Sequence, residues 1–181
     1  MNTSTLTAPA PATPATLQPE TSLRAPAPGP LRLKKILVPV DFSTPSRKAL
    51  KYALRFAKEF RAQLTLIHVL GKIPIGTGFG DVPSTIDYSA QQISMAENNL
   101  RALCASSVAA GSPRIGSTIR EGMAADEIVA AAKEFDTDLI VIATHGYTGW
   151  KHFCIGSTAE RVVRTAPCPV FVVREKEHDF V

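Results

Sequence analysis

Short apolar runs alternate with amphipathic segments along residues 34–174, and this alternation constrains the fold more than any other feature of the chain. The apolar runs have the length of buried strands and are far too short to span a membrane. The segments between them repeat apolar residues at spacings of three and four, as amphipathic helices do. Strands that alternate with helices predict a parallel sheet with right-handed crossovers and helices on both faces. The predicted fold class is therefore α/β.

The alternation predicts five strands and four main helices. The strands are expected at Ile36–Val40, Leu64–Leu70, Ile115–Glu121, Leu139–Ala143 and Val170–Val173. The third strand is polar enough to lie at a sheet edge, whereas the second is apolar on both faces, as in a covered parallel sheet. Two helix starts are indicated. Thr44 and Pro45 match an N-cap followed by a first helical residue, and Ser157 with Glu160 matches a capping box.

Charge and cysteine usage narrow the class of protein further. The formal net charge is +4 and the basic residues spread along helix faces, which argues against nucleic-acid binding. The three cysteines, Cys104, Cys154 and Cys168, form no C-x-x-C pair, which suits a reducing cytosol and small apolar packing roles. No apolar stretch reaches the roughly 18 residues of a membrane span. We therefore expect a soluble, cytoplasmic protein with no nucleic-acid or membrane partner.

The composition divides the chain into three parts. Residues 1–31 hold seven of the fourteen prolines, mostly among Ala and Thr, and few charges. Such a segment cannot bury enough apolar surface to offset the entropy of ordering it, so we expect a disordered arm. Residues 32–176 are expected to form one globular domain, and residues 177–181 a short tail.

The stretch 138–158 combines a buried strand, a glycine-containing loop and a predicted helix start. N–H groups at a helix N-terminus attract anions, and glycine lets the backbone approach a ligand closely. In open parallel sheets, ligands bind beyond the carboxyl ends of the strands, where the strand order reverses. The loops after the first strand (41–44) and the fourth strand (144–155) both lie at that edge and are expected to meet. The sequence thus predicts a phosphate cradle there.

Several segments together resemble the universal stress protein family over essentially all of 34–174. They are K-K-I-L-V-P-V-D-F-S from Lys34, I-H-V-L from Ile67, A-T-H-G from Ala143, G-S-T-A-E-R-V-V from Gly156 and A-P-C-P-V-F-V-V-R from Ala166. The resemblance implies a three-layer α/β/α sandwich of the adenine-nucleotide α-hydrolase type, with a five-stranded parallel sheet of order 3-2-1-4-5. It also implies homodimers that pair through the last strand, here Val170 to Val173.

Nucleotide-binding members of that family carry the motif G-x2-G-x9-G-[ST]. Its second and third glycines match Gly146 and Gly156, and Ser157 takes the Ser/Thr place. The first glycine is replaced by Ala143. The added methyl is tolerable if the φ angle stays negative and the ligand does not pass closely, and obstructive otherwise.

The resemblance implies a site for ATP or a related adenine nucleotide, with Mg²⁺ possible as its companion and no metal site of the protein's own. Asp41 would meet the adenosine end, with Val40 and Val69 beside the adenine, and the residues around the fourth strand's loop would surround the phosphates. The implied binding residues are Pro39, Val40, Asp41, Val69, Ala143, Thr144, His145, Gly146, Gly156, Ser157 and Thr158.

Each of these roles has a plainer alternative. Asp41 is placed to cap the helix near Pro45, although Thr44 is better placed for that. A capping role for Ser157 is compatible with phosphate binding. His145 either donates to a phosphate or bonds to the backbone. Trp150 and Phe153 are expected to pack the loop or a subunit contact, with base stacking as the weaker hypothesis.

By resemblance, the leading hypothesis is a homodimeric stress-response protein that binds ATP as a regulatory ligand, with the loop 71–85 as a lid ordered by nucleotide. No Ser/His/Asp order or metal-ligand cluster emerges, so no catalytic residue is assigned. One alternative is a nucleotide-independent dimeric interaction module, for which Ala143 is the support. The other is a weak ATP hydrolase, because Lys151 and the hydroxyls of Ser157 or Thr158 could assist Mg²⁺.

Overall fold

A computed structural model of the chain describes residues 31–71, 85–109, 114–144 and 156–174, with the backbone alone at 85–89. Within these residues, one all-parallel sheet has the strand order β3-β2-β1-β4-β5, as predicted. Its strands are β1 (Lys35–Pro39), β2 (Gln63–Leu70), β3 (Ile115–Glu121), β4 (Leu139–Ala143) and β5 (Val170–Val173). The helices that alternate with them are α1 (Thr44–Phe60), α2 (Thr85–Ala109), α3 (Ala124–Glu134) and α4 (Ser157–Thr165).

Two apolar cores lie on the two faces of the sheet. On one face, residues of α1 and α2 such as Ala53 and Leu100 pack against inward side chains of every second strand position, including Leu66 and Val141. On the other face, α3 and α4 cover the alternate positions, including Ile140. This arrangement is the predicted three-layer sandwich, because a parallel sheet buries both of its faces. Strand β3 lies at an edge, as its polar sequence predicted.

Strand pairing weakens in the middle of the sheet. Strand β1 pairs with β2 along all five of its residues, and β4 pairs with β5 from Ile140 to Ala143. Between β1 and β4 the register contains only Ile36 with Leu139 and Leu37 with Ile140. Beyond those pairs the two strands diverge toward their carboxyl ends. This is the point where strand order reverses, and a crevice is expected there.

Both predicted helix caps are wrong by one residue. Helix α1 is capped by Ser43, whose Oγ accepts from the N–H of Ser46 at 3.3 Å, so Thr44 is already helical. Helix α4 does begin at Ser157, but Gly156 is its N-cap and no side chain caps it. Sequence alone could not separate adjacent Ser and Thr, or Gly and Ser, since all of them occur at N-caps.

Some expectations fall outside the described residues. These are the arm 1–30, the tail 177–181, most of the proposed lid at 72–84, and the loop that holds His145, Gly146, Lys151, Trp150, Phe153 and Cys154. The division into arm, domain and tail therefore stays a prediction. Among the helices that the structure describes, none is long and apolar enough to cross a bilayer.

Candidate functional site

A pocket of about 280 Å³ opens at the carboxyl edge of the sheet, where β1 and β4 diverge. Its size is near the lower end of the roughly 300–1,000 Å³ typical of small-ligand sites. Nine of the eleven implied binding residues line it, and the other two, His145 and Gly146, lie outside the described residues. The lining residues are Pro39, Val40, Asp41, Ser46, Ile67, His68, Val69, Ala124, Ile128, Ile142, Ala143, Thr144, Gly156, Ser157, Thr158 and Ala159. Asp41 after β1 and Thr144 after β4, the described starts of the two loops, thus line the same pocket.

One wall of the pocket is the turn between β1 and α1. The Oδ1 atom of Asp41 accepts hydrogen bonds from the N–H of Ser43 at 3.1 Å and from its Oγ–H at 2.5 Å. Asp41 therefore holds the capping residue in place and is not itself the cap. The next residue, Phe42, has a φ angle of 64°, a left-handed conformation that costs a non-glycine residue roughly 1 kcal/mol or more. Its carbonyl accepts from Nε of Arg47 at 3.2 Å.

The backbone of Val69 is directed toward the pocket. Hydrogen-bond direction alternates along a strand, and the carbonyl of Leu70 accepts from Gly122, on the β3 side, at 3.0 Å. The carbonyl of Ile67 accepts from Val40, on the β1 side, at 2.8 Å. Val69 shares the orientation of Ile67, so its N–H and C=O point to the side where β1 has just ended. They provide one donor and one acceptor at the pocket wall.

The opposite wall is the N-terminus of α4. The N–H of Glu160 is the first to bond within the helix, to the carbonyl of Gly156 at 2.9 Å. The three preceding N–H groups, of Ser157, Thr158 and Ala159, have no intrahelical partner. The N–H of Gly156 instead bonds the carbonyl of Thr144 at 2.8 Å and closes the base of the intervening loop. This helix end has the geometry of an anion site.

The backbone conformation at position 143 does not require glycine, although the family motif has glycine there. It is the last residue of β4, in register with Val173, and is not among the residues with positive φ. The residue is 8% exposed, and it belongs to the core cluster that also contains Val40 and Val173. The methyl group therefore faces mainly the α1 side of the sheet, and the first condition set by the sequence, a negative φ, is met.

The pocket also contains residues that the sequence did not single out. His68 comes from β2, Ala124 and Ile128 from α3, and Ile142 from β4. The position of α3 follows from its connection to β3 at the same edge, which the strand order alone could have indicated. The I-H-V-L segment contributes to the family resemblance, but nothing in its local pattern distinguishes a buried strand histidine from a site residue.

The described residues that line the pocket carry little charge. Of the residues that line it within the described structure, Asp41 is the only acidic one, and none is Lys or Arg. In the same part of the chain, no group of three or more His, Cys, Asp or Glu side chains could hold a metal ion. The hydroxyls of Ser157 and Thr158 are the oxygen donors beside the helix end. A Mg²⁺ ion there would depend on oxygen ligands that a nucleotide brings.

Two solved structures with a similar fold are complexes with nucleotides. A universal stress protein solved in complex with cAMP has a TM-score of 0.58 at 22% identity, covering 81% of this chain and 100% of that one. Another, from Archaeoglobus fulgidus in complex with dAMP, has a TM-score of 0.50 at 23% identity, covering 79% and 99%. At these identities the likeness concerns the fold alone.

The family is established by closer matches. The model of the universal stress protein family matches residues 32–174. The universal stress protein MJ0531 of Methanocaldococcus jannaschii is 35% identical over 148 residues, which are 81% of this chain and 85% of that protein. The structure of UspA from Lactobacillus plantarum has a TM-score of 0.68 at 27% identity, covering 80% of this chain and 99% of that one. The chain belongs to the universal stress protein family.

Proposed function

We propose that this universal stress protein binds ATP or a related adenine nucleotide in the pocket between β1 and β4, as a regulatory ligand, and acts in the cytoplasm as a homodimer. The observation that carries the proposal is the meeting of Asp41, Val69 and the α4 N-terminus around one pocket at the point where strand order reverses. The complexes with cAMP and dAMP add that this fold accommodates adenine nucleotides in other proteins.

The adenosine end of the ligand is assigned to the β1–β2 side. Val69 offers a backbone donor and acceptor, the pair of groups that the edge of an adenine ring requires. Asp41 offers a carboxylate that accepts hydrogen bonds from ribose hydroxyls. Val40 and Ile67 supply the apolar surface around them. The arrangement distinguishes a purine from a bare phosphate because it binds the ligand at both ends.

The phosphates are assigned to the α4 side. The N–H groups of Ser157, Thr158 and Ala159 point out of the helix end, where the helix dipole adds a partial positive charge. The uncapped start of α4 is consistent with this role, because a capping side chain would occupy the same N–H groups. Ala143 in β4 leaves its methyl in the core cluster and does not oppose the assignment.

We propose a ligand and not a substrate because efficient phosphoryl transfer needs cationic groups and a positioned water. None of the lining residues within the described structure is Lys or Arg, and Oδ1 of Asp41 is already engaged by Ser43. The alternative of weak hydrolysis predicts slow release of phosphate that is lost when Asp41 or Ser157 is changed. A phosphate-release assay with both variants tests it.

Binding is tested by titrating the purified full chain with ATP in the presence of Mg²⁺, by calorimetry or equilibrium dialysis. We expect saturable binding with a stoichiometry of one nucleotide per chain and much weaker binding of GTP, whose base presents a different pattern of donors and acceptors. The absence of binding at millimolar ATP would contradict the proposal. Denaturing the protein as purified and identifying released nucleotide by chromatography provides an independent measurement.

We assign the homodimer interface to the outer edge of β5. The carbonyl of Pro169 accepts from the N–H of Ile140 in β4 at 3.1 Å, and that of Val173 from the N–H of Thr144, just after β4, at 2.9 Å. Residues 170 and 172 therefore direct their backbone groups away from β4. An edge strand with outward N–H and C=O groups can pair with a second copy. Val172→Pro removes one outward N–H and leaves the β4 ladder intact, and Val172→Thr keeps it. We expect the first variant alone to be monomeric by light scattering.

The rival hypothesis is a dimeric interaction module that needs no nucleotide. It predicts that the dimer persists and that ATP changes neither thermal stability nor partner binding. The variant Ala143→Gly distinguishes the two hypotheses. A large gain in ATP affinity would mean that the natural methyl blocks the site, which would favour the nucleotide-independent module. The packing of Ala143 in the core cluster leads us to expect no such gain.

A further inference from the structure

His68, on β2, makes a side-chain hydrogen bond that determines its tautomer. Its Nδ1 lies 2.7 Å from the carbonyl oxygen of Val40. A carbonyl oxygen only accepts, so Nδ1 carries the proton and, in the neutral ring, Nε2 does not. The side chain is half-buried and lies on the α1 side of the sheet, because it alternates with Ile67 and Val69, which belong to the other core cluster.

This hydrogen bond takes the place of one backbone hydrogen bond between β1 and β2. In a parallel ladder, a residue whose N–H donates to one residue accepts at its C=O from the residue two positions further along. Val40 donates to Ile67, so its carbonyl would next accept from the N–H of Val69. In the described structure the carbonyl of Val40 accepts from the His68 ring instead. The backbone hydrogen bonding between β1 and β2 therefore ends one bond early, and the N–H of Val69 lies at the pocket wall.

The same ring supports the adjoining turn. The rings of His68 and Phe42 have their centroids 4.5 Å apart with a 37° tilt. Phe42 holds the left-handed conformation of the turn, and a strained residue persists only when its surroundings fix it. Asp41 precedes Phe42 and bonds to Ser43 on its far side. The imidazole thus contacts the residues on both sides of Asp41, through Val40 and through Phe42.

We infer that His68 is a positioning residue for the nucleotide pocket: it withholds the Val40 carbonyl from Val69, so that the Val69 N–H stays available to a purine base, and it holds the turn that presents Asp41. This inference rests on the proposed function for the ligand. The effect on the sheet itself is independent of any ligand. Without the imidazole, the N–H of Val69 can bond to Val40 and complete the ladder, which withdraws a donor from the pocket.

Two variants separate the roles of the ring. His68→Phe keeps an aromatic ring against Phe42 and removes the donor, whereas His68→Asn keeps a donor near the position of Nδ1 and removes the ring. Phe60→Leu, at the far end of α1 in the same core cluster, serves as a control for a general loss of stability. A purely structural role would make His68→Phe resemble that control.

The first measurement is amide hydrogen exchange of Val69 without nucleotide. We expect His68→Phe to slow exchange at Val69 relative to the wild type, whereas Phe60→Leu leaves it unchanged or faster. Nitrogen NMR of the wild type should show His68 protonated at Nδ1. Unchanged or faster exchange at Val69 in His68→Phe, or a proton on Nε2 alone, would overturn the inference whatever the protein binds.

The second measurement is ATP and AMP affinity. We expect His68→Phe to weaken both by roughly tenfold, the size of one lost hydrogen bond, and His68→Asn to stay within about threefold of the wild type. Equal affinity of His68→Phe and the wild type would overturn the inference and leave the proposed function intact. A wild-type chain that fails to bind either nucleotide would overturn the proposed function, and the exchange at Val69 alone would then decide whether His68 ends the ladder.

Discussion

An aspartate accepts hydrogen bonds from nearby chain segments at each of two places: the amino edge of the sheet, where the strands begin, and the carboxyl edge, where they end. At the amino edge, Oδ2 of Asp138 accepts from the N–H groups of Lys34 and Lys35 at 2.7 and 2.9 Å. At the carboxyl edge, Oδ1 of Asp41 accepts from the N–H and Oγ–H of Ser43. Each aspartate thus fixes a chain segment beside the central strands β1 and β4. A hydrogen-bonded aspartate at a strand end therefore does not by itself indicate a binding site.

The difference lies in what surrounds each carboxylate. At the amino edge backbone groups of neighbouring segments bond to one another: the N–H of Asp138 donates to the carbonyl of Lys35 at 2.9 Å, and the N–H of Gln63 to that of Lys34 at 2.7 Å. The nearby ion pair of Lys35 with Asp136, at 3.6 Å, is exposed and adds little stability. At the carboxyl edge the strands diverge and helix N-termini converge. Concavity and orphan N–H groups, more than the carboxylate, mark the site.

The largest expected effect is at the start of α4. Gly156→Asp places a capping carboxylate at the N-cap, where it occupies the first-turn N–H groups and repels phosphate. The φ angle of Gly156 is −59°, which any residue adopts, so the helix should not be strained. We expect ATP affinity to fall about a hundredfold while stability stays the same or rises by a few tenths of a kcal/mol.

Gly156→Asn is the matched control for this prediction, because it caps the helix without a charge. Calorimetric titration should place its ATP affinity between those of the wild type and Gly156→Asp. Equal ATP affinity in Gly156→Asp and the wild type would mean that the phosphates do not lie at α4.

The comparison of the two edges is tested directly by changing each carboxylate to an amide. In both Asp41→Asn and Asp138→Asn, the remaining oxygen can still accept the observed hydrogen bonds, so each variant should fold. We expect ATP affinity to fall roughly tenfold in the first, where a charged acceptor for the ribose is lost, and to stay unchanged in the second. If both variants lose affinity equally, or neither does, the assignment of the adenosine end to Asp41 is wrong.

A smaller effect is expected at Ala143. Ala143→Gly removes a methyl from the core cluster and adds backbone freedom in a strand, which should lower the free energy of unfolding by about 1 kcal/mol. ATP affinity should change by less than about threefold, because the methyl faces the core. Denaturant unfolding and calorimetry provide the two measurements. A gain in affinity well beyond that factor would favour the nucleotide-independent module.

The smallest expected effect concerns Cys168 at the amino edge. Burial raises the pKa of its thiol, the nearby charge of Asp138 raises it further, and a hydrogen bond with the backbone of Ile140 opposes both. A raised pKa keeps the thiol protonated, so alkylation by iodoacetamide should require a higher pH than for an ordinary cysteine. Peptide mapping by mass spectrometry gives the rate at this one thiol. Asp138→Asn should shift its pH profile slightly downward, and an upward shift would contradict the assigned cause.

Much of the fold was determined by local sequence. The apolar runs fixed the positions of β4 and β5 to the residue, and the helical spacing located all four helices, because both signals depend on neighbours in the chain. The edge that holds the site followed from the parallel topology. The family resemblance indicates Asp41 and the motif spacing indicates Gly156; both line the pocket, and their contact with nucleotide stays a prediction.

Only the tertiary structure decided how these residues are used. Ser43 and not Thr44 caps α1 because Asp41 bonds to Ser43, a contact that depends on the path of the turn. His68 lines the pocket because β1 ends opposite it, which is a matter of register between two strands. We expect alanine at position 143 to permit nucleotide binding, because alternation along β4 directs its methyl into the core cluster. Periodicity in the sequence specifies which elements form, whereas register and side-chain direction across the sheet specify what the pocket can bind.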